Sequence, residues 1–163
     1  MAVSSDIIAS WRRPRVVMRR LLDMGQREDR ALAFVMSACF LVFIAQWPRL
    51  SREAHLAGQE LSQRISYELV SWLVVWPLVL YIFAVLLWAV LRLAGSAITP
   101  YGVRLSVFWS LLATTPAMLL YGLMRGFIGP GPEANLIGGV WVAGLLFILI
   151  QSLREAATQK APV

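Results

Sequence analysis

Apolar positions in this chain fall into four long blocks: Ala31–Pro48 ("ALAFVMSACFLVFIAQWP"), Leu69–Leu91 ("LVSWLVVWPLVLYIFAVLLWAVL"), Leu105–Met124 and Ala134–Leu153. None contains Asp, Glu, Lys or Arg, and each is apolar all round rather than on one stripe. Roughly 20 residues at about 1.5 Å each cross a bilayer, and only a helix satisfies its own backbone in lipid over that length. The pattern therefore predicts an all-α fold: a polytopic transmembrane helical bundle with four spans, about 31–48, 69–91, 105–124 and 134–153.

Two shorter segments are one-sided. From Pro14 to Met24, Val17, Met18, Leu21, Leu22 and Met24 cover one side of a helix, and Arg15, Arg19 and Arg20 mostly the other; Val16 falls among the arginines. Proline suits a first helical position and Gly25 a stop, so an amphipathic helix in the headgroup layer is predicted over 14–24. In "RLSREAHLAGQELSQRISYE", Leu50, Ala54, Ala57, Leu61 and Ile65 recur at three- and four-residue spacing. This predicts a surface helix over about 50–66, weakened at Gly58 by about 1 kcal/mol relative to alanine. Loops are expected at "LAGSAITPYG" (93–102) and "GFIGPGPEAN" (126–135). With no linker or long repeat, the chain reads as one domain: a basic segment 1–30, the membrane bundle 31–153 and a short tail 154–163.

Composition agrees, at 59% hydrophobic and 15% charged residues. Charge adds orientation. With the N-terminus inside, eleven of the fifteen basic residues (Arg92, Arg104, Arg154 and Lys160 among them) lie on the cytoplasmic side; Arg49, Arg52, Arg64 and Arg125 lie outside. The excess predicts both termini in the cytoplasm of a multi-pass protein of the bacterial inner membrane. Cys39, the single cysteine, reads as a small packing residue.

The five arginines Arg12, Arg13, Arg15, Arg19 and Arg20 admit several uses. A transit peptide would be poorer in acid than a segment carrying Asp6, Asp23, Glu28 and Asp29, and a secretory signal would not interpose "DMGQREDR" before its apolar run. Nucleic-acid binding would call for a recognition fold or interleaved aromatics, which are missing. What remains is fixing topology, holding anionic lipid headgroups along an interfacial helix that also packs on the bundle, or recognising a partner.

Inside the spans there is no ionisable side chain, which argues against an ion-coupled transporter. There is packing chemistry instead. Gly102, Ser106, Ser110 and Thr114 recur every fourth residue, and Ala134/Gly138 and Gly139/Ala143 repeat the small-xxx-small spacing. Such stripes serve either packing within the bundle or an interface with a second copy or another membrane protein, and their hydroxyls can bond across helices. Pro77 and Pro116 free the carbonyls of Leu73 and Leu112 and should kink their spans, with Ser or Thr hydroxyls available to the freed groups. A single histidine, His55, and the lack of a phosphate loop, a CxxC pair or a useful carboxylate pair give no catalytic constellation. No metal, cofactor or enzymatic activity is expected.

The N-terminal "WRRPRVVMRRLLDMG" followed by a bundle whose third span begins "TPYGVRLSVFWSLLATTPAMLL" resembles the bacterial branch of the Yip1 family of integral membrane proteins, in the style of its alphaproteobacterial members. The likeness covers roughly Ser10–Leu153 and rests on Pro14 with its basic-apolar helix, Tyr101-Gly102 and Pro116. It implies a membrane location and a helical bundle. Eukaryotic members are implicated in membrane traffic with Rab-type GTPases, but their Asp-Leu-Tyr-Gly signature does not occur in this chain. The family usually has five spans. Here either segment 49–68 replaces one, or the chain is a shortened member. The expected function is thus non-enzymatic: helix packing with membrane partners or with itself, in assembly, scaffolding or an accessory role. The alternative is lipid-handling or small-solute transport built around the two proline kinks.

Overall fold

A computed structural model describes residues 3–58 and 60–158; Lys160 and the rest of the expected tail beyond 158 lie outside the described residues. The described chain is helical, with no strand: α1 (Val3–Arg12), α2 (Pro14–Asp23), α3 (Glu28–Ala57), α4 (Leu61–Val70), a π-helical turn (Ser71–Val75), α5 (Trp76–Leu93), α6 (Pro100–Ala113), α7 (Thr115–Phe127) and α8 (Pro132–Thr158). Three helices are long and apolar enough to cross a membrane: Glu28–Ala57, the continuous Leu61–Leu93, and Pro132–Thr158. The α6–α7 pair, bent by 44°, supplies a fourth if it forms one span. This is the all-α membrane bundle that the apolar blocks predict.

At one end of the bundle, the N-terminal end, α3 and α6 begin and α5 and α8 finish. Arg30 donates there to Tyr101 at 3.1 Å, Arg104 pairs with Glu28, and the Trp88 indole donates to the Ile98 carbonyl at 3.3 Å. The core beneath includes Phe34 edge-on to Trp109 (5.0 Å) and Tyr81 edge-on to Phe108 (4.8 Å).

The closest helix pair is α3 against α7, and two glycines make it. A Cβ at Gly122 would overlap the Ala45 carbonyl oxygen and stand 2.7 Å from its carbon; a Cβ at Gly126 would overlap the Pro48 ring and stand 2.7 Å from the Pro48 carbonyl carbon. This Gly-xxx-Gly pair lets two backbones meet, the commonest device for helix association in lipid. Pro48 lies inside α3, which continues through it. One hydrogen bond to Ile44 is forgone there, and the ring fills the space that Gly126 leaves.

The surface helix expected over 50–66 does not exist as a unit. Residues 50–57 continue α3, Gly58 caps it at φ 60°, and Leu61 starts the second span. Leu50 and Ala54, two members of the expected apolar face, are buried in the protein, while Ala57 and Leu61 are exposed. The periodicity was that of two adjoining helix ends. Ion pairs clamp them: Arg49 binds Glu53 at 3.1 Å and Glu68 at 3.2 Å, and Arg64 binds Glu53 at 3.3 Å.

The two prolines act differently. At Pro116 the span breaks: the Thr115 hydroxyl donates at 2.8 Å to the Leu112 carbonyl that the proline frees, and the chain turns 44°. At Pro77 the expected kink takes the form of a widened turn: the Trp76 N–H reaches back five residues to the Ser71 carbonyl, and the helix continues.

Candidate functional site

The feature that the sequence did not predict is α1, and with α2 it forms a hairpin seated against α6 and α8. Pro14 sets the hinge. Its ring disfavours a helical Arg13, which sits at φ −140°, and α2 starts on the proline. The predicted apolar side of α2 is present, with Val17, Met18 and Leu21 buried, but bundle side chains cover most of it. Val16, the sequence's exception, is 52% exposed, and Met24 also faces outward.

Three of the five arginines are occupied by protein. Arg15 donates to Gln151 at 3.0 Å and Arg19 to Glu155 at 2.6 Å, two contacts one helical turn apart on each partner, so α2 runs parallel to the end of α8. The pair is lopsided: the Arg19 side chain is 65% accessible and that of Glu155 only 5%. Hydrogen bonding to Glu155, and then its charge, raise the Arg19 pKa above its ordinary value, so this cation persists at every physiological pH. Arg20 binds Asp6 of α1 at 2.9 Å, closing the hairpin. Arg30 donates to the Leu21 and Gly25 carbonyls at 2.9 Å, tying the end of α2 to α3.

The hinge itself reaches deep. Ser10 is fully buried and accepts from the Trp109 indole at 3.0 Å. The Trp11 indole donates at 3.0 Å to the carbonyl of Ala113. That carbonyl would bind the Ala117 N–H in an unbroken helix, but here the Ala117 N–H goes to Thr114, so Trp11 takes the acceptor that the proline break releases. Gly144 makes room for it, since a Cβ there would lie 2.6 Å from the Trp11 ring. Gly144 lies eleven residues before Glu155 and Ala113 nine after Arg104, so the Trp11 ring reaches about 14–16 Å below the charged end, while the Arg15–Gln151 and Arg19–Glu155 register leaves the hinge backbone about 9 Å below it. Half a hydrocarbon core is about 15 Å. Arg12 and Arg13 follow Trp11 at the hinge, both exposed.

The small-residue stripe divides. Gly102, Ser106, Ser110 and Thr114 are all buried, Gly102 facing Ala156 of α8. Their hydroxyls do not bond across helices: Ser106, Ser110 and Thr114 each donate to the carbonyl four residues earlier, at 2.7, 2.6 and 3.0 Å. Gly138 packs on Tyr121, whereas Gly139 has open space beside it and Ala143 is exposed. The residues that sequence reading missed are Gly122, Gly126 and Gly144, together with Ser10 and Trp11. The spacing Gly122-xxx-Gly126 was readable as a packing signal; nothing local marks Trp11 as a cap for a helix one hundred residues away.

At the opposite end, the groove of about 390 Å³ between α3 and α4 is lined by Arg49, Glu53, Arg64 and Glu68, two cations and two anions that neutralise one another. Glu68 also accepts from the Trp72 indole at 3.1 Å, and Arg52 caps the end of α7 at the Phe127 carbonyl (3.0 Å). Among the described residues no three metal-ligating side chains gather. Comparison with known proteins finds no match: no family model fits the chain, and no curated protein or solved structure is similar to it.

Proposed function

We propose that the chain is a non-enzymatic integral membrane protein of the Yip1-like type, lying in the bacterial inner membrane with both termini in the cytoplasm. It acts by packing against another membrane protein or a second copy of itself, in an assembly or accessory role. One observation carries this reading. In the most apolar window of Leu61–Leu93 only 11% of residues are buried within the molecule, against 44% for the first span. That span stands at the edge of the bundle with Leu78, Ile82, Phe83 and Leu86 outward, and the exposed Gly139 and Ala143 offer a close approach on α8.

Cysteine crosslinking from Ile82→Cys and Ala143→Cys in native membranes, followed by native mass spectrometry in mild detergent, tests the reading. It expects a specific crosslinked species or a stoichiometric co-purifying membrane protein; a strictly monomeric chain without one refutes it. Reporter fusions after Lys160 and within 49–66 test the orientation, and a periplasmic C-terminus would overturn it. A second reading, lipid handling, is favoured by the exposed Arg12 and Arg13 at the hinge.

A further inference from the structure

A groove of about 270 Å³ between α7 and α8, toward the end of the bundle opposite the N-terminal hairpin, is lined by Tyr121, Asn135, Gly138, Trp141 and Val142. Its rings are held in place. Tyr121 and Trp141 pack against the small core of Val42, Ala45 and Met118, and the Tyr121 ring lies on Gly138, where a Cβ would stand 3.0 Å from it. Their polar atoms are not held. The Tyr121 hydroxyl, the Trp141 indole N–H and the Asn135 amide have no hydrogen-bond partner among the described residues, and neither ring's polar atom is sealed from the surface. By contrast, Trp11, Trp72, Trp88 and Trp109 all donate to protein acceptors.

Depth follows from helical rise. Asn135 stands twenty residues before Glu155, about 30 Å along α8, which is the thickness of a hydrocarbon core. Asn135 therefore marks the far boundary, with Gly138 about 5 Å inside it and Trp141 about 9 Å. Helical side chains lean toward the N-terminus of their helix, which in α8 is the boundary side, so the indole is carried back toward Gly138. Both donors stand a few ångströms below the boundary, where water is scarce and an unpaired donor is costly.

We infer that this groove holds one phospholipid of the leaflet at that end, the Tyr121 hydroxyl and Trp141 indole donating to its acyl-ester carbonyls and Asn135 meeting its glycerol-phosphate. The inference goes beyond the assembly role and needs only a bundle that spans the bilayer. Donors at this depth call for acceptors, and ester carbonyls are the acceptors a bilayer carries at the base of its acyl chains. A partner helix offers few, because its backbone carbonyls are taken by its own N–H groups. The order of the groove also fits a lipid. Polar Asn135 is at the boundary, the donors lie below it, and the exposed Val142 and Leu146 continue toward the bilayer centre as a track for the chain. No charged side chain lines the groove, so it does not read headgroup charge.

The test uses the full chain in mild detergent under native mass spectrometry, titrated with diester phosphatidylethanolamine and with a diether analogue of the same headgroup and chains. The analogue differs only in lacking the ester carbonyls. Two neutral hydrogen bonds predict about a tenfold preference for the ester. Tyr121→Phe should reduce it to about threefold, and Tyr121→Phe/Trp141→Phe should abolish it while the ether still binds as before. Trp47→Phe, which removes an exposed indole outside the groove, should keep the preference. Equal binding of the two lipids by the wild type overturns the inference, and so does an ester preference that survives in the double variant. A second copy or another membrane protein that must leave before lipid binds also overturns it, since protein then covers the groove. A nitroxide on Val142→Cys, read for depth in vesicles, separates the premises. A label in the aqueous phase refutes the membrane placement, whereas a label among acyl chains with no ester preference refutes the lipid site alone.

Discussion

Gly122→Ala is the sharpest test of how this bundle is held. The added methyl would meet backbone, not a yielding side chain: the Ala45 carbonyl, with its carbon 2.7 Å away. Carbon atoms at rest lie about 3.5–4.0 Å apart, so α3 and α7 must separate by roughly 1 Å along their closest contact. Overpacking of this kind costs about 1–3 kcal/mol, the upper figure applying where backbone is struck. Alanine returns up to about 1 kcal/mol through helix propensity, leaving a net loss of about 2 kcal/mol. For a chain of this size that lowers the melting temperature by about 4–8 °C. Melting followed by intrinsic tryptophan fluorescence in detergent reads it, the chain having seven tryptophans. Gly126→Ala should behave alike, because its methyl strikes Pro48. Gly139→Ala, with nothing within 4 Å, is the matched control and should melt at or slightly above wild type. If Gly122→Ala melts with the wild type, or Gly139→Ala falls as far, the close α3–α7 approach is not what holds the bundle.

Three further outcomes follow from the hairpin and the break. Gly144→Leu fills the place of the Trp11 ring and should release α1; tryptic cleavage after Arg12 should speed by about tenfold for each 1.4 kcal/mol lost, and wild-type protection would refute it. Thr115→Val leaves the Leu112 carbonyl without its 2.8 Å donor and should lower stability in the same melting assay by about 1 kcal/mol; an unchanged melt would mean that another donor takes the carbonyl. Arg19→Met strands the buried Glu155 carboxylate, so it should melt lower than the double variant Arg19→Met/Glu155→Leu; the reverse order would show that Glu155 does not depend on this partner.

The candidate site was legible in part. Its arginines, the Pro14 start of α2 and that helix's buried side follow from local rules, because a proline's missing N–H and a 3.6-residue period act within a few residues. Which arginines remain free does not. Arg15, Arg19 and Arg20 find Gln151, Glu155 and Asp6 through packing, and the sequence gives no sign that Arg12 and Arg13 are the two left over.

By itself the sequence determined the all-α class, the four apolar blocks and the break at Pro116, since each depends on solvent transfer or on one residue's backbone chemistry. It misread 50–66, because an apolar period is the same whether a helix lies on a surface or two helix ends are clamped together by Arg49, Glu53, Arg64 and Glu68. Only the tertiary structure decided which small residues are interior. Ser106 and Gly139 look alike as members of four-residue stripes, but one is buried and the other faces open space. In lipid both environments are apolar, so hydrophobicity does not tell a helix which face to turn inward. Shape does: the overlap that Gly122 avoids, and the space that Gly144 leaves for Trp11.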